Sequence, residues 1–237
     1  MNFKSYIYGN KEADTILLQM VDEHELEGID REIASIRELS PDKDFCLLAL
    51  KVNRWNHDLS PWTAQAVFGK EGFVGKADET LHFLLKEILP ILPGILEQED
   101  ESQKDKPKED KPQEDNPGKK LIIGGYSLAG LFSLWAAYQT DCFDGVAAAS
   151  PSIWYPHFID YMRSNTIHTR TVYLSLGDRE ERTRNAVMAT VGNAVRSAEE
   201  ILKNAGVDCT LEWNQGNHFK DADLRTARAF AWVLSRT

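Results

Sequence analysis

The chain of 237 residues has few of the features that mark secreted or metal-binding proteins. It contains only three cysteines, which are far apart and show no zinc-like spacing. Cys46, Cys142 and Cys209 are set among apolar residues, so we expect reduced, buried thiols and no disulfide framework. The N-terminus, MNFKSYIYGNKEAD, has no apolar run of the kind found in secretory signal peptides. These absences predict a cytoplasmic protein without a metal.

Positive charge is also scarce. The chain has 27 Lys and Arg against 37 Asp and Glu, a formal net charge of −10 at pH 7. An acidic protein is a poor partner for nucleic acid or an anionic membrane, so we expect neither. The long uncharged run Leu121–Tyr138 is interrupted by Gly-Gly-Tyr-Ser-Leu-Ala-Gly. We therefore interpret it as a buried strand followed by a helix and not as a membrane span.

Residues 97–119 differ in composition from the rest of the chain. The segment EQEDESQKDKPKEDKPQEDNPGK has no aromatic residue, almost no apolar one, and mixed charge with several prolines. This composition predicts a disordered surface insertion, which costs little because loop-closure entropy grows slowly with length. The alternative is that the insertion recruits a specific partner.

Short apolar runs alternate with amphipathic segments over the remainder of the chain. The predicted strands are Tyr6–Tyr8, Thr15–Val21, Phe45–Val52, Leu121–Ile123, Phe143–Ser150, Thr171–Leu176 and Val207–Trp213. Predicted helices are Leu26–Leu39, Ala77–Leu92, the segment after Ser127, a segment from Pro151 towards Met162, Thr183–Ala205 and Asp221–Ser235. The alternation predicts one α/β domain over residues 1–237, with a doubly wound, mostly parallel sheet and helices on both faces. In such sheets the functional crevice lies beyond the carboxyl ends of the strands.

Ser127 lies where one predicted strand gives way to a helix. Leu121–Ile123 suits a buried strand, and the apolar residues after Ser127 recur at helical spacing, so the backbone must turn sharply within Gly124–Leu128. A serine on such a turn projects its hydroxyl above the sheet edge, beside the backbone N–H groups that open the helix. The less specific interpretation is a glycine-rich turn with an ordinary serine.

The segment Gly125-Tyr126-Ser127-Leu128-Ala129-Gly130 resembles the G-x-S-x-G nucleophile elbow of the α/β-hydrolases. Ala129 stands at the position of the second glycine. Alanine adds only one methyl group there, so we expect the turn to survive. The resemblance covers nearly the whole chain from Thr15, apart from the charged insertion, and implies the α/β-hydrolase fold, a serine nucleophile and no cofactor.

A serine hydroxyl needs a base to remove its proton and a carboxylate to orient that base. The α/β-hydrolases place these groups in the order serine, acid, histidine. His218, directly after the last predicted strand, is the candidate base. The family's usual position for the acid, three residues after the glycine that ends the preceding strand, corresponds to Glu180. Asp178 is the alternative acid, and Glu181 lies in the same turn.

The resemblance also implies an oxyanion hole and a pocket. One oxyanion donor is the backbone N–H of Leu128; the other follows the strand Thr15–Val21, at Val21 or, alternatively, Asp22. Aromatic side chains in connections on the expected active-site side are candidates for substrate contact, with core packing as the equal alternative. They are Trp55, Trp62, Trp154 and Tyr155, and two histidines near strand ends, His24 and His57, are further candidates.

Ser150-Pro151-Ser152-Ile153-Trp154 resembles the segment after the corresponding strand in the esterase group related to esterase D, feruloyl esterases and enterochelin esterases. This likeness implies a serine esterase that acts on a small-molecule ester through an acyl-enzyme. Two alternatives stay open: an acyltransferase with the same triad, and a non-catalytic binding protein of the same fold. A lipase is disfavoured because the sequence shows no large apolar lid helix.

Overall fold

The computed structural model describes residues 3–67, 69–92, 94 and 118–237. The predicted disordered insertion at 97–119 lies outside the described residues, except for Gly118 and Lys119, and stays a prediction. The strands are β1 (Lys4–Gly9), β2 (Thr15–Val21), β3 (Cys46–Lys51), β4 (Thr63–Ala64), β5 (Phe73–Val74), β6 (Lys120–Tyr126), β7 (Gly145–Ala149), β8 (Thr171–Gly177) and β9 (Asp208–Asn214). The α-helices are α1 (Glu23–Leu39), α2 (Trp55–Asp58), α3 (Ala77–Phe83), α4 (Leu128–Ala136), α5 (Phe158–Ser164), α6 (Val191–Asn204) and α7 (Ala222–Leu234).

The main sheet has the strand order β1-β3-β2-β6-β7-β8-β9. β1 is antiparallel to β3, and every other neighbouring pair is parallel. The predicted mostly parallel α/β sheet is confirmed. The carboxyl ends of β6, β7, β8 and β9 therefore lie side by side at one edge, and the segments that follow these four strands meet there.

Helices cover both faces of the sheet. Helices α1 and α7 pack on one face, where Ile33 and Ile36 share a buried cluster with Phe230. Helix α4 packs on the other face, and all nine of its residues are buried. Gly124 in β6 allows Phe230 of α7 to pack closely on the sheet, because a Cβ at this position would lie 2.6 Å from Cζ of Phe230. Among the described residues, no helix combines the length and apolar character needed to cross a bilayer.

Two predicted helices are shorter in the structure. Ala77–Leu92 is divided into α3, a π-helical segment Leu84–Ile88 and a 3₁₀ turn Leu89–Ile91, because Pro90 has no N–H to donate within the helix. In Thr183–Ala205 the α-helix begins only at Val191. There the side-chain oxygen of Asn185 accepts from the N–H groups of Val187 and Met188, at 3.0 and 3.2 Å, and so competes with helical hydrogen bonds.

Two other expectations need correction. The predicted helix after Pro151 begins only at Phe158, since the preceding segment is taken up by turns above the sheet edge. Cys142 is exposed and not buried, because it lies in the turn after α4, where its N–H donates to the Thr140 hydroxyl at 3.3 Å.

Candidate active site

Ser127 connects β6 to α4 with φ 57° and ψ −118°. A positive φ is uncommon for a residue with a side chain and is maintained only where the surroundings fix the backbone. Here the Ser127 N–H donates to the Ala149 carbonyl at 3.1 Å, and the Ser127 carbonyl accepts from Leu131 and Ser152 N–H groups at 3.1 and 3.0 Å. These bonds hold the sharp strand-to-helix turn that the sequence predicts.

Close contacts leave no room for a side chain at Gly125 and Gly130, on either side of Ser127. A Cβ at Gly125 would lie 2.7 Å from Cβ of Ala129, and one at Gly130 would lie 2.9 Å from the Gly125 carbonyl oxygen. Ala129 itself is fully buried and fits because position 125 carries no side chain. The departure from the G-x-S-x-G pattern is therefore accommodated.

The three residues proposed as a triad lie within hydrogen-bond distance of one another. The Oγ atom of Ser127 is 2.9 Å from Nε2 of His218. On the other side of the imidazole, Nδ1 lies 2.6 Å from Oε2 of Glu180. Ser127 follows β6, Glu180 follows β8 and His218 follows β9, so the parallel sheet brings together residues that are up to 91 positions apart.

The carboxylate of Glu180 is almost fully buried and fully partnered. Its Oε1 accepts hydrogen bonds from the Gly177 N–H at 2.7 Å, the Ser150 hydroxyl at 2.9 Å and the Arg225 guanidinium at 2.8 Å. Burial alone would raise the pKa of Glu180. The hydrogen bond and charge of His218, with the Gly177 and Ser150 donors, outweigh burial and lower that pKa below its ordinary value. Glu180 is thus held ionised.

Arg225 in α7 organises the acid and the histidine loop together, and sequence reasoning missed it. Its side chain is 1% exposed. It donates to Glu180 Oε1 (2.8 Å), Tyr126 Oη (3.1 Å), Ser150 Oγ (3.2 Å) and the carbonyls of Gln215 (3.3 Å) and Asn217 (3.0 Å). Tyr126 in turn donates to the His218 carbonyl at 2.7 Å. In the sequence Arg225 is one of two arginines in the closing helix, with Arg228, and no local pattern distinguishes them.

Two serines after β7 also belong to the site and were not predicted. Ser150, with φ 41°, is positioned to donate to Glu180. The Ser152 hydroxyl lies 3.2 Å from the Ser127 hydroxyl. When Ser127 donates its proton to His218, Ser152 can act only as a donor to Ser127 in this pair. Both serines occur in the Ser-Pro-Ser segment that carried the esterase resemblance.

The remaining acidic residues of the β8 turn have other contacts. Asp178 is exposed, and its carboxylate accepts from the Gly216 N–H at 2.8 Å. Glu181 lies 3.6 Å from the Arg196 guanidinium. Of these three acidic residues, Glu180 is therefore the one within hydrogen-bond distance of His218, and Asp178 is bonded to the backbone of the loop after β9.

The candidate oxyanion donors differ in orientation. Leu128 is the first residue of α4, where backbone N–H groups have no partner within the helix. The carbonyl of Val21 accepts from the Val52 N–H at 2.9 Å, so the polar backbone groups of Val21 face β3. Asp22, the next residue, is also extended, so its N–H faces away from β3. That N–H donates to the Glu25 carboxyl at 2.9 Å, in the capping box that starts α1.

The four candidate pocket aromatics are mostly engaged with one another. Tyr155 is 2% exposed and donates to the Trp62 carbonyl at 2.5 Å. Trp62 packs against Tyr155, and its indole N–H donates to the Pro156 carbonyl at 3.0 Å. Trp55 and Trp154 are partly buried against the same core. Their described hydrogen bonds and ring contacts do not include the triad, so we carry none of the four into the proposal below.

The two other histidines are placed differently. His57 is 2.8 Å from the buried Asp58 carboxylate through Nδ1 and is also contacted by Arg54. His24 is exposed and lines a cleft beside the triad. Within the described part of the chain, no group of three or more His, Cys, Asp or Glu side chains is arranged to hold a metal ion.

The fold is similar to that of several solved structures of other proteins. No protein-family model matches the chain, and no curated protein matches it in sequence. Solved structures do match in three dimensions. Siderophore hydrolase EstA from Aspergillus nidulans is 17% identical with a TM-score of 0.67, over 96% of this chain and 84% of that one. The chain has the α/β-hydrolase fold.

Two further structures agree with this architecture. An IroE-like serine hydrolase from Shewanella oneidensis is 13% identical with a TM-score of 0.70, over 99% of this chain and 80% of that one. The enterobactin esterase Fes from Shigella flexneri is 14% identical with a TM-score of 0.66, over 99% of this chain and 56% of that one. The chain thus spans little more than half of the length of Fes. At these identities the likeness shows the fold.

Proposed function

We propose that this protein is a serine carboxylester hydrolase with Ser127 as nucleophile, His218 as base and Glu180 as the acid that orients the base. The observation that carries the proposal is the continuous hydrogen-bonded line from Ser127 Oγ to His218 Nε2, at 2.9 Å, and from His218 Nδ1 to Glu180 Oε2, at 2.6 Å. A half-buried serine and histidine with a buried carboxylate in this arrangement form the constellation that activates a hydroxyl nucleophile.

The chemistry follows from these positions. Ser127 Oγ attacks the ester carbonyl carbon while His218 Nε2 takes the hydroxyl proton, and Glu180 stabilises the imidazolium through Nδ1–H. The tetrahedral intermediate collapses to an acyl-enzyme and an alkoxide, which leaves with the proton that His218 held. Water then attacks the acyl-enzyme with His218 as base, releasing the acid and regenerating Ser127.

The oxyanion of each tetrahedral intermediate needs two donors. We assign one to the N–H of Leu128. For the second we favour the N–H of Asp22 over that of Val21, since the Val21 backbone groups face β3. Glu25 must then release the Asp22 N–H when substrate binds. Burial and the neighbouring Asp22 raise the pKa of Glu25 well above its ordinary value.

The substrate class that we propose is a small-molecule ester. The similar solved structures include siderophore hydrolases and an enterobactin esterase, at 14–17% identity. This likeness supports ester hydrolysis only as a proposal for this chain. No metal or cofactor enters the steps above, since the three side chains and two backbone donors suffice for them.

Hydrolysis of short-chain p-nitrophenyl esters tests the proposal. We expect Ser127→Ala and His218→Ala each to lose on the order of a thousandfold or more in kcat. Ser164→Ala and His168→Ala are matched controls, because both side chains are exposed and remote from the triad. Circular dichroism verifies that each variant is folded.

The outcomes separate the open alternatives. Equal, negligible turnover by the wild type and both triad variants would contradict an esterase acting on simple esters. Adding alcohols or thiols to the wild-type reaction then tests acyl transfer: an acyltransferase diverts the acyl group to the added acceptor, whereas a hydrolase releases the free acid.

A further inference from the structure

A cleft of about 440 Å³ lies beside the triad, between the first turns of α1 and the start of α7. Tyr126 and Phe219, which line it, are the chain neighbours of Ser127 and His218. The Tyr126 hydroxyl donates to the His218 carbonyl at 2.7 Å, and the Phe219 ring lies 5.6 Å from the His218 ring. A substrate with its ester at Ser127 can therefore extend into this cleft.

The cleft is strongly acidic. Its described lining includes five carboxyl groups, those of Glu25, Glu27, Glu32, Asp221 and Asp223. The guanidinium in this lining, that of Arg31, is paired with both oxygens of Asp223, one of them at 2.6 Å. The other four carboxyl groups are not paired with that guanidinium. Burial raises the pKa of two of them, Glu25 and Glu32, and the exposed Glu27 and Asp221 are the carboxylates that favour a positively charged group in the cleft.

The buried carboxyl group of Glu32 has an oxygen without a hydrogen-bond partner in the described part of the chain. Its side chain is 2% exposed, yet it lines the cleft. Oε2 accepts from Gln19 Nε2 at 3.3 Å, whereas Oε1 has no hydrogen-bond partner among the described residues. A buried polar atom without a partner costs free energy, and burial raises the pKa of Glu32 to about 8. A cationic hydrogen-bond donor at Oε1 would supply the missing bond and would favour the ionised form of Glu32.

Two more features define the kind of cation. Phe219 is 85% exposed, and an aromatic face beside carboxylates suits an organic ammonium through cation–π attraction. The carboxyl groups do not converge on a metal-holding arrangement within the described residues. An ammonium on a carbon chain fits this spread of groups better than a metal ion.

We propose that the preferred substrates are esters that carry an ammonium group, with the ammonium bound in the cleft at Glu32, Asp221 and Phe219 while the ester carbonyl lies at Ser127. This proposal rests on the esterase function proposed above and names its substrate class.

The test compares two esters that differ only in the terminal group of the acyl chain. p-Nitrophenyl 6-aminohexanoate and p-nitrophenyl heptanoate have the same leaving group and chain length, and end in an ammonium and a methyl group. We expect wild-type kcat/KM to be about tenfold or more higher for the ammonium ester, as a charge-assisted hydrogen bond allows. Glu32→Gln and Asp221→Asn should each reduce this ratio several-fold; asparagine tolerates the left-handed backbone of position 221.

Glu38→Gln is the matched control, because it removes one carboxylate from the exposed end of the same helix and should leave the ratio unchanged. Titration calorimetry measures the affinity for n-hexylammonium without any turnover, with 1-hexanol as the uncharged comparison. We expect n-hexylammonium to bind about tenfold more weakly to Glu32→Gln than to the wild type.

Hydrolysis of the heptanoate ester with no ammonium preference and no ammonium binding would overturn the inference and leave the esterase. Ammonium binding that depends on Glu32, without hydrolysis of either ester, would support the ammonium site in the cleft and contradict the proposed esterase function.

Discussion

Glu180 and Glu32 are both almost fully buried glutamates, and their surroundings are opposite. Glu180 has donors on both oxygens, from His218, Gly177, Ser150 and Arg225, and its pKa lies below the ordinary value. Glu32 has one weak donor, and burial raises its pKa to about 8. The comparison teaches that burial does not determine the charge of a carboxyl group; the donors around it do.

The two sites also differ in what completes them. The Glu180 site is complete within the chain: every donor comes from a strand end or from α7. The Glu32 site lacks a partner for one oxygen in the described residues. On our account the first glutamate serves the reaction, and the second awaits a group that the substrate brings.

The largest expected effect is that of Glu180→Gln. Glutamine keeps the shape of the side chain but not the negative charge that orients and stabilises the His218 imidazolium, so we expect kcat to fall by about 10⁴-fold. Glu38→Gln, an exposed change of the same kind, should leave kcat within about twofold. A loss of less than about tenfold in Glu180→Gln would mean that Glu180 is not the acid.

The second-largest effect should be a loss of stability when Arg225 is replaced. Arg225→Met leaves the carboxylate of Glu180 with one cation fewer and frees the carbonyls of Gln215 and Asn217, so we expect a loss of about 3 kcal/mol in the free energy of unfolding. Arg228→Met on the same helix is the control, since that partly exposed side chain pairs with Glu212 at 3.1 Å and should cost about 1 kcal/mol or less. Equal losses in urea denaturation would contradict the role of Arg225.

Glu32 should make stability depend on pH in the direction opposite to Glu180. Its folded-state pKa is raised, so the folded state binds more protons than the unfolded state between the ordinary glutamate value and about 8. Stability then falls as pH rises through that window, by about 1.4 kcal/mol per pH unit at most. Glu32→Gln should remove this slope.

Urea denaturation of the wild type and Glu32→Gln, from about pH 5.5 to about pH 7.5, measures that slope. The stability of Glu32→Gln relative to the wild type should increase with pH. Parallel curves would show that Glu32 is not held protonated by burial.

The smallest effect should come from Asp178→Asn, which tests the alternative acid. Asparagine retains the oxygen that accepts from the Gly216 N–H, and Asp178 does not contact His218 in the described contacts. We expect kcat to change by less than about threefold. A loss in Asp178→Asn as large as that in Glu180→Gln would assign the acid to Asp178 instead.

The features that the sequence predicted are those with local signals. Ser127, Glu180 and His218 could be located because each follows the end of an apolar strand, and a parallel sheet brings such ends together. Glycines around Ser127 marked the sharp turn. The family's usual position for the acid, three residues after the glycine that ends the strand, favoured Glu180 over Asp178 and Glu181.

What the sequence did not reveal depends on distant contacts. Arg225 meets Tyr126 across 99 positions, and Gln19 meets Glu32 only when α1 packs on β2. No periodicity encodes such pairs. The helix boundaries near Pro90 and Val191 were also missed, because a proline and the Asn185 side chain override a helical apolar pattern. A cytoplasmic location and disorder at 97–119 stay predictions.

The most direct test of the central claim is intact-mass spectrometry after treatment with a fluorophosphonate, which phosphonylates an activated serine. We predict a single adduct that maps to Ser127, forms rapidly in the wild type, and is lost in Ser127→Ala and strongly slowed in His218→Ala. No adduct, or an adduct on a serine other than Ser127, would contradict the account.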